Sequence, residues 1–374
     1  MRFITQTKPY QLKNYRFMLV ASVLLISILG VLVVGSASPE RQNSQILGVV
    51  LGVIAMVVVS LIDYSWVLNF YWIFYIINVV LLVATELFGV TVNNARRWLN
   101  LGFVQFQTSD LSKIILILFY AKFFSEHRDD LNTPRTIITS VLLLIPTLIL
   151  LLRQPNLSTT ICISLVFCAI YYSAGLSYKF IGTVLAIVIP AAVIFLSIVV
   201  QPNQPFLRDY QQTRILAWLN PEEYASDEAY QQMNSIMAIG SGQLTGKGLN
   251  NNTTTSVKNG NYISEPQTDF IFAIVGEELG FVGCCIVIGL LLLIVIQCIL
   301  VGIKAQDLAG QIVCCGVAAL IGFQSFINIG VATGVLPNTG IPLPFVSYGL
   351  TSLVCMYASI GFVLNIGLQP KKYQ

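Results

Sequence analysis

Long uninterrupted apolar runs constrain this chain more than anything else in it. FMLVASVLLISILGVLVV at 17–34 and VGCCIVIGLLLLIVIQCILVGI at 282–303 each approach or exceed the roughly 20 residues a helix needs to cross a bilayer core of about 30 Å. Across 374 residues, 56% are hydrophobic and only 10% charged, against about 25% charged in soluble domains. The expected fold is an all-α polytopic membrane protein. Apolar windows predict ten transmembrane helices, at about 17–35, 46–62, 68–88, 111–124, 136–152, 157–174, 179–199, 270–303, 310–334 and 345–367. The shortest, 111–124, needs a protein wall around it. The 270–303 segment is too long for one upright helix. Counting about 20 residues back from Lys304 puts the membrane boundary near Gly283, so Asp269 to Gly280 extends into the interface or lines a cavity. One large loop, 200–267, separates helices 7 and 8, so 1–374 reads as a single membrane domain with ends at 1–16 and 368–374.

Orientation follows from Lys and Arg, which are in excess in short cytoplasmic segments. The N-terminal stretch carries Arg2, Lys8, Lys13 and Arg16, and the tail Lys371 and Lys372. Ten spans place both ends together with Lys122, Arg128, Arg135, Lys179 and Lys304; the opposite short segments hold Arg41, Arg96, Arg97, Lys113 and Arg153. Both termini are therefore expected to be cytoplasmic and the 200–267 loop extracytoplasmic. Arg96, Arg97, Lys113 and Arg153 stand at span mouths on the outer side, with Asp110 and Asp269 among them. Helices 4, 6, 8 and 10 also point their N-termini there, where free N–H groups suit an anion. Two readings follow: interfacial anchors for the helices, or a site for an anionic, membrane-bound substrate whose reactive part lies outside.

Other classes fall away. The net charge is +3 and the basic residues are scattered, so no nucleic-acid surface is expected. The single histidine, His127, excludes a His-based metal site. The eight cysteines all lie in apolar runs, as small buried hydrophobes do, and lack metal or disulfide spacing.

The polar motifs have specific placements. Asp110 and Lys113 are three apart at the start of a helix and share a face; they form a structural ion pair or orient a phosphate or sugar hydroxyl. In RQPNLSTT (153–160), Pro155 ends one helix and Asn156 caps the next, leaving Arg153 and Gln154 as candidate polar contacts. GSGQLTGKG (240–248) is not a P-loop, because Ser241 stands where a glycine is needed and Gly248 follows Lys247. It reads as a turn that brings backbone close to something. LPNTGIPLPFVSYGLTS (336–352) cannot be one helix, and irregular backbone at membrane depth must be buried or line a wet cavity. Pro344 suits the first turn of helix 10. Thr268 is placed to cap helix 8 with Asp269 in its first turn, as a structural acid or a general base at a partly dehydrated mouth. Glu277 and Glu278 are adjacent, point in different directions, and cannot be a simple catalytic pair.

Together these motifs resemble the SEDS family (RodA, FtsW and SpoVE), nearest its RodA branch. The likeness covers nearly the whole chain and rests on ARRWLNLG (95–102), FQTSDLSK (106–113), QPNLST (154–159), DYQQTRI (209–215), AIGSGQLTGKG (238–248), EPQTDFIFAIVGEELGFVG (265–283) and TGIPLPFVSYG (339–349). The chain departs from the family pattern at Thr108, Asp110, Ser112, Asn156, Ser158, Leu350 and Thr351. Asp110 replaces a longer acid and Asn156 rules out an acid role there, but no departure touches Asp269.

The resemblance implies a peptidoglycan glycosyltransferase of the bacterial cytoplasmic membrane. It would polymerise lipid II outside that membrane, with undecaprenyl pyrophosphate as leaving group and a class B penicillin-binding protein as partner. It makes Asp269 the catalytic residue and matches Arg97, Asp110, Lys113 and Gln154 to polar positions around the same cavity; with Arg96, Arg153, Arg214, Lys247 and Ser347 these form the candidate substrate-binding set. No cofactor is demanded, although a divalent cation (Mg or Mn) bridging acids and pyrophosphate is compatible with the pattern. Two rivals differ in observable ways. A lipid-precursor flippase would translocate substrate without making polymer. A non-catalytic scaffold of the cell-wall machinery would tolerate changes at Asp269.

Overall fold

The computed structural model describes residues 15–369 except 93–94, 101, 103–104, 179, 181, 184–185, 187–189, 191–196, 200, 202–208, 225–228, 251–255, 257–261 and 264. Eight of its helices are long and apolar enough to cross a membrane. They are α1 (Phe17–Ala37), α2 (Pro39–Leu61), α4 (Tyr71–Phe88), α6 (Pro134–Arg153), α7 (Leu157–Ala174), α10 (Ile271–Ile303), α11 (Leu308–Ala332) and α12 (Leu350–Leu368). A short α3 (Tyr64–Leu68) joins α2 to α4. Helices α2, α4 and α6 expose most of their apolar surface, while α11 and α12 are mostly buried and form the centre. The expected 179–199 span lies largely outside the described residues.

Helix α5 (Thr108–Glu126) explains how a charged segment enters such a bundle. It carries Asp110, Lys113, Lys122 and Glu126, yet fifteen of its 19 residues are buried. At 1.5 Å per residue it is about 28 Å long, longer than the 111–124 expectation. Its wall is supplied by α4, α7 and α11, so the buried Asp110 and Lys113 meet protein rather than lipid. Near its far end an aromatic cluster includes Phe119 on Tyr75 (4.7 Å) and Phe124 on Tyr171 (4.4 Å). His127 stacks on Phe123 at 4.5 Å there.

Small residues let helices approach. In α2, Gly48 and Gly52 lie against Leu353 and Tyr357 of α12; a Cβ on Gly361 of α12 would stand 2.7 Å from the Met56 carbonyl of α2. This is small-residue packing four apart, which substitutes for a hydrophobic driving force in lipid.

Two findings lie outside what the apolar windows predict. Three strands, β1 (Val90–Val92), β2 (Ala95–Asn100) and β3 (Gln105–Gln107), pair as an antiparallel sheet between α4 and α5. Within the large loop, α8 (Asp209–Leu219) and α9 (Tyr230–Ser241) cap the C-terminal end of α11. Gln232 donates to the carbonyls of Val331 (2.8 Å) and Leu336 (2.7 Å), Ser235 to Ala332 (2.8 Å), and the Trp218 indole to Gly334 (3.0 Å). The bonds to Val331 and Ala332 reach carbonyls of the last helical turn, which lack a continuing helix to pair with.

Residues 333–349 are irregular and packed inward, with Ile341, Leu343, Phe345, Val346 and Ser347 buried. Side chains of other elements satisfy this backbone, as burial requires. Gln324 donates to Pro342 O (2.9 Å), Asn328 to Ile341 O (2.7 Å), and Gln45 to Ser347 O (3.2 Å). The last helix begins at Leu350, so Pro344 does not occupy its first turn. Phe345 has φ 64°, outside helical geometry, and that delays the helix. Helix α10 likewise starts at Ile271 with Phe270 as its cap, which leaves Thr268 and Asp269 in the preceding turn. Thr268 bonds to Glu265 O rather than capping.

Candidate active site

The chain gathers its polar side chains where α10 begins and 333–349 folds inward. Three supports fix Asp269. Its carbonyl accepts from Asn328 Nδ2 at 2.8 Å. Ser347 Oγ donates to Thr268 O at 2.6 Å and accepts from Leu343 N at 2.7 Å, so this candidate substrate contact ties two backbone segments together. Gly340 lies against the carboxylate: a Cβ there would be 3.0 Å from Asp269 Oδ2, and its φ of +68° favours glycine independently.

Asp269 as a residue is half-buried, and the protein around its carboxyl dominates its chemistry. Burial pushes its pKa above the ordinary aspartate value; the guanidinium groups of Arg97 and Arg214 pull it down, and Glu265 pushes it up. Desolvation disfavours the charged form and nearby cations favour it. The balance leaves a carboxylate more basic than a free one beside two cations.

The strand geometry of β2 separates the neighbouring arginines, because successive side chains point to opposite faces. Arg97 donates through Nε to Gln154 O at 3.4 Å and through Nη2 to Pro155 O. It thereby docks the sheet on the α6–α7 turn and faces Asp269. Arg96 is exposed, and its Nε bonds to Thr91 Oγ1 at 3.2 Å. Asn156 caps α7 through Thr159 N, and Gln154 donates to Leu82 O at 2.9 Å. Arg153 points away: it is 65% exposed and pairs with Glu86 at 3.6 Å.

Deeper in the bundle, Lys113 Nζ bonds to Asp110 Oδ1 at 2.8 Å and to Gln324 Oε1 at 3.2 Å. Lys247 Nζ pairs with Glu277 Oε1 at 2.8 Å. The structure therefore brings Asp269, Arg97 and Arg214 together, buries Asp110 with Lys113 in a supporting layer, and sets Arg96, Arg153 and Lys247 on other tasks. Sequence reasoning passed over Gln324, Asn328 and Gly340. Gln324 and Asn328, four apart in an apolar helix, carry the usual signal of polar interhelical contacts. Among the described residues, no group of three or more His, Cys, Asp or Glu side chains gathers closely enough to hold a metal ion.

Comparisons with known proteins agree with this architecture. The FtsW/RodA/SpoVE family model, described as a cell cycle protein, matches residues 16–372. The peptidoglycan glycosyltransferase MrdB of Escherichia coli K12 is 34% identical over 358 residues, 93% of this chain and 92% of that one. A probable peptidoglycan glycosyltransferase FtsW of Coxiella burnetii is 34% identical over 296 residues, 78% of this chain and 76% of that one. A chain solved in a study of polymerization and crosslinking by a peptidoglycan synthase complex superposes with TM-score 0.78 at 27% identity, covering 94% of this chain and 97% of that one. The rod shape determining protein RodA of Thermus thermophilus does so with TM-score 0.69 at 25% identity, covering 98% and 100%. The bundle, the inward-folded 333–349 segment and these matches have one conclusion: the chain belongs to the FtsW/RodA/SpoVE (SEDS) family of multi-span membrane proteins.

Proposed function

We propose that this chain polymerises lipid II into glycan strands at the extracytoplasmic face of the bacterial cytoplasmic membrane, with Asp269 as general base. One observation carries the reading: at the mouth of a membrane helix Asp269 is held between Asn328 and Gly340, with Arg97 and Arg214 near enough to act on its charge. The Lys and Arg distribution supports an outward placement of this end, with both termini in the cytoplasm and 1–374 acting as one membrane domain. The names of the relatives support glycosyl transfer. The synthase-complex neighbour supports a class B penicillin-binding protein as cross-linking partner.

The substrate is an undecaprenyl-pyrophosphate disaccharide-pentapeptide whose lipid stays in the bilayer. Asp269 takes the proton from a hydroxyl of the incoming sugar, and that oxygen attacks the anomeric carbon of the other. The bond from that carbon to the pyrophosphate oxygen breaks, and lipid pyrophosphate leaves with the electron pair. Arg97 and Arg214 offset the charge that develops on it. A raised pKa makes Asp269 a stronger base for this step.

The test is reconstitution of the purified chain with fluorescent lipid II. Polymer resolved by gel electrophoresis is the expected product; translocation across vesicles without polymer would replace this reading with a flippase. Arg97→Gln carries a sharper expectation. It removes the cation that most opposes the effect of burial on Asp269, so the acid limb of the rate–pH profile should move to higher pH. Loss of a leaving-group contact should also lower the rate by about 10²-fold. Initial rates across pH measure both.

A further inference from the structure

Helix α10 is not continuous along its length. Gly280 has φ 65° and ψ −163°, and the helix breaks there. A continuous helix would pair Glu277 O with Phe281 N–H, and Glu278 O with Val282 N–H. Each of these four groups bonds instead to the 243–248 segment. Phe281 N donates to Gln243 O at 2.8 Å and Val282 N to Leu244 O at 3.1 Å; Lys247 N donates to Glu277 O at 2.9 Å and Gly248 N to Glu278 O at 2.9 Å. The glycine-rich loop is thus spliced into the hydrogen-bond ladder of the helix.

Its glycines are what this approach requires. A Cβ on Gly242 would lie 1.9 Å from Gly276 O, one on Gly246 2.2 Å from Glu278 O, and one on Gly280 2.3 Å from Gly246 N. A side-chain clasp spans the same joint: Lys247 Nζ to Glu277 Oε1 at 2.8 Å, with Glu277 only 1% exposed and its Oε2 accepting from Ser256 Oγ at 3.4 Å. The half-helix from Ile271 to Leu279, which begins two residues after Asp269, therefore takes its direction from the loop.

We infer that Lys247 and Glu277 are a positioning pair for the reaction. By holding the 243–248 splice they fix the half-helix that aims Asp269, and Lys247 acts through that backbone rather than on substrate. This rests on the proposed polymerase reading. Misplacement of a catalytic group by about 1 Å can cost about 10²-fold in rate.

The test compares Lys247→Met with Lys247→Arg in the purified chain, reading lipid II polymerisation and amide hydrogen exchange at residues 247–248 and 281–282. Lys247→Met should lower kcat by about 10²-fold with KM within about 2-fold, and should speed exchange at those four amides. Lys247→Arg, which keeps the charge and donors, should recover most of both. A raised KM with unchanged kcat and exchange would make Lys247 a substrate contact and overturn the inference. So would a parental kcat in Lys247→Met. If the parental chain made no polymer, the functional reading would fall, and unchanged exchange in Lys247→Met would then overturn the splice by itself.

Discussion

Asp269→Asn is expected to lower the rate of lipid II polymerisation by about 10²–10⁴-fold, the range spanned by loss of a general base. Asparagine keeps the size of the side chain beside Gly340 and leaves the Asn328 bond to the residue 269 carbonyl in place, so the fold should survive. It removes the proton acceptor. On the proposed mechanism Arg97 and Arg214 meet the pyrophosphate, so lipid II binding should stay within a few-fold. The parental pH profile carries the same signature. The base must be ionised, and burial holds its pKa above the ordinary value. Its acid limb should therefore lie above the usual aspartate range of about 4 and disappear in Asp269→Asn. The sign for stability runs the other way. A carboxyl whose folded pKa is raised contributes stability that is fully present below its unfolded pKa and is lost as pH rises through the folded value. Asp269 is thus kept at some cost to folding, as expected of a group retained for chemistry. An Asp269→Asn protein that polymerises at the parental rate would remove it from the mechanism.

The sequence made most of the bundle legible because hydrocarbon contact demands continuous apolar windows, and these survive without knowledge of any neighbour. The break in α10 was half legible. Span length placed a boundary near Gly283, three residues from the actual turn at Gly280. What the break joins was not readable, since the splice to 243–248 is made by backbone groups thirty or more residues apart. The sheet of β1, β2 and β3 left no clear pattern, because its strands are short and their composition mixed. That matters for the site: only strand alternation distinguishes Arg97, which faces Asp269, from Arg96, which faces solvent. The late start of the last helix was hidden by a single left-handed residue, Phe345. Asp269 itself was marked by its outer position among cations, but Arg214 entered only through the family resemblance, because its approach depends on how the loop helices dock.

Lys113→Ala is expected to destabilise the protein by about 3–5 kcal/mol, the penalty for leaving one member of a buried ion pair alone. Lys113 is 3% and Asp110 4% exposed, and Asp110 Oδ2 has no hydrogen-bond partner among the described residues. Without the ammonium, the Asp110 charge would be stranded among buried side chains of α5. The loss would also spread. Gln324 accepts from Lys113 through Oε1 while its amide holds Pro342 O, only two residues from the glycine that packs on Asp269. Thermal unfolding in detergent, followed by size exclusion, measures the effect. The double variant Asp110→Leu with Lys113→Met separates the two roles that spacing alone left open. Apolar replacement of both partners of a buried pair is often neutral or stabilising, so the double variant should regain most of the lost stability. A purely supporting pair predicts that activity returns with it. A pair that orients a phosphate or sugar hydroxyl predicts a stable protein that stays inactive. With Lys113 already committed at 2.8 Å and 3.2 Å to protein acceptors, recovery of both stability and activity is the expected result.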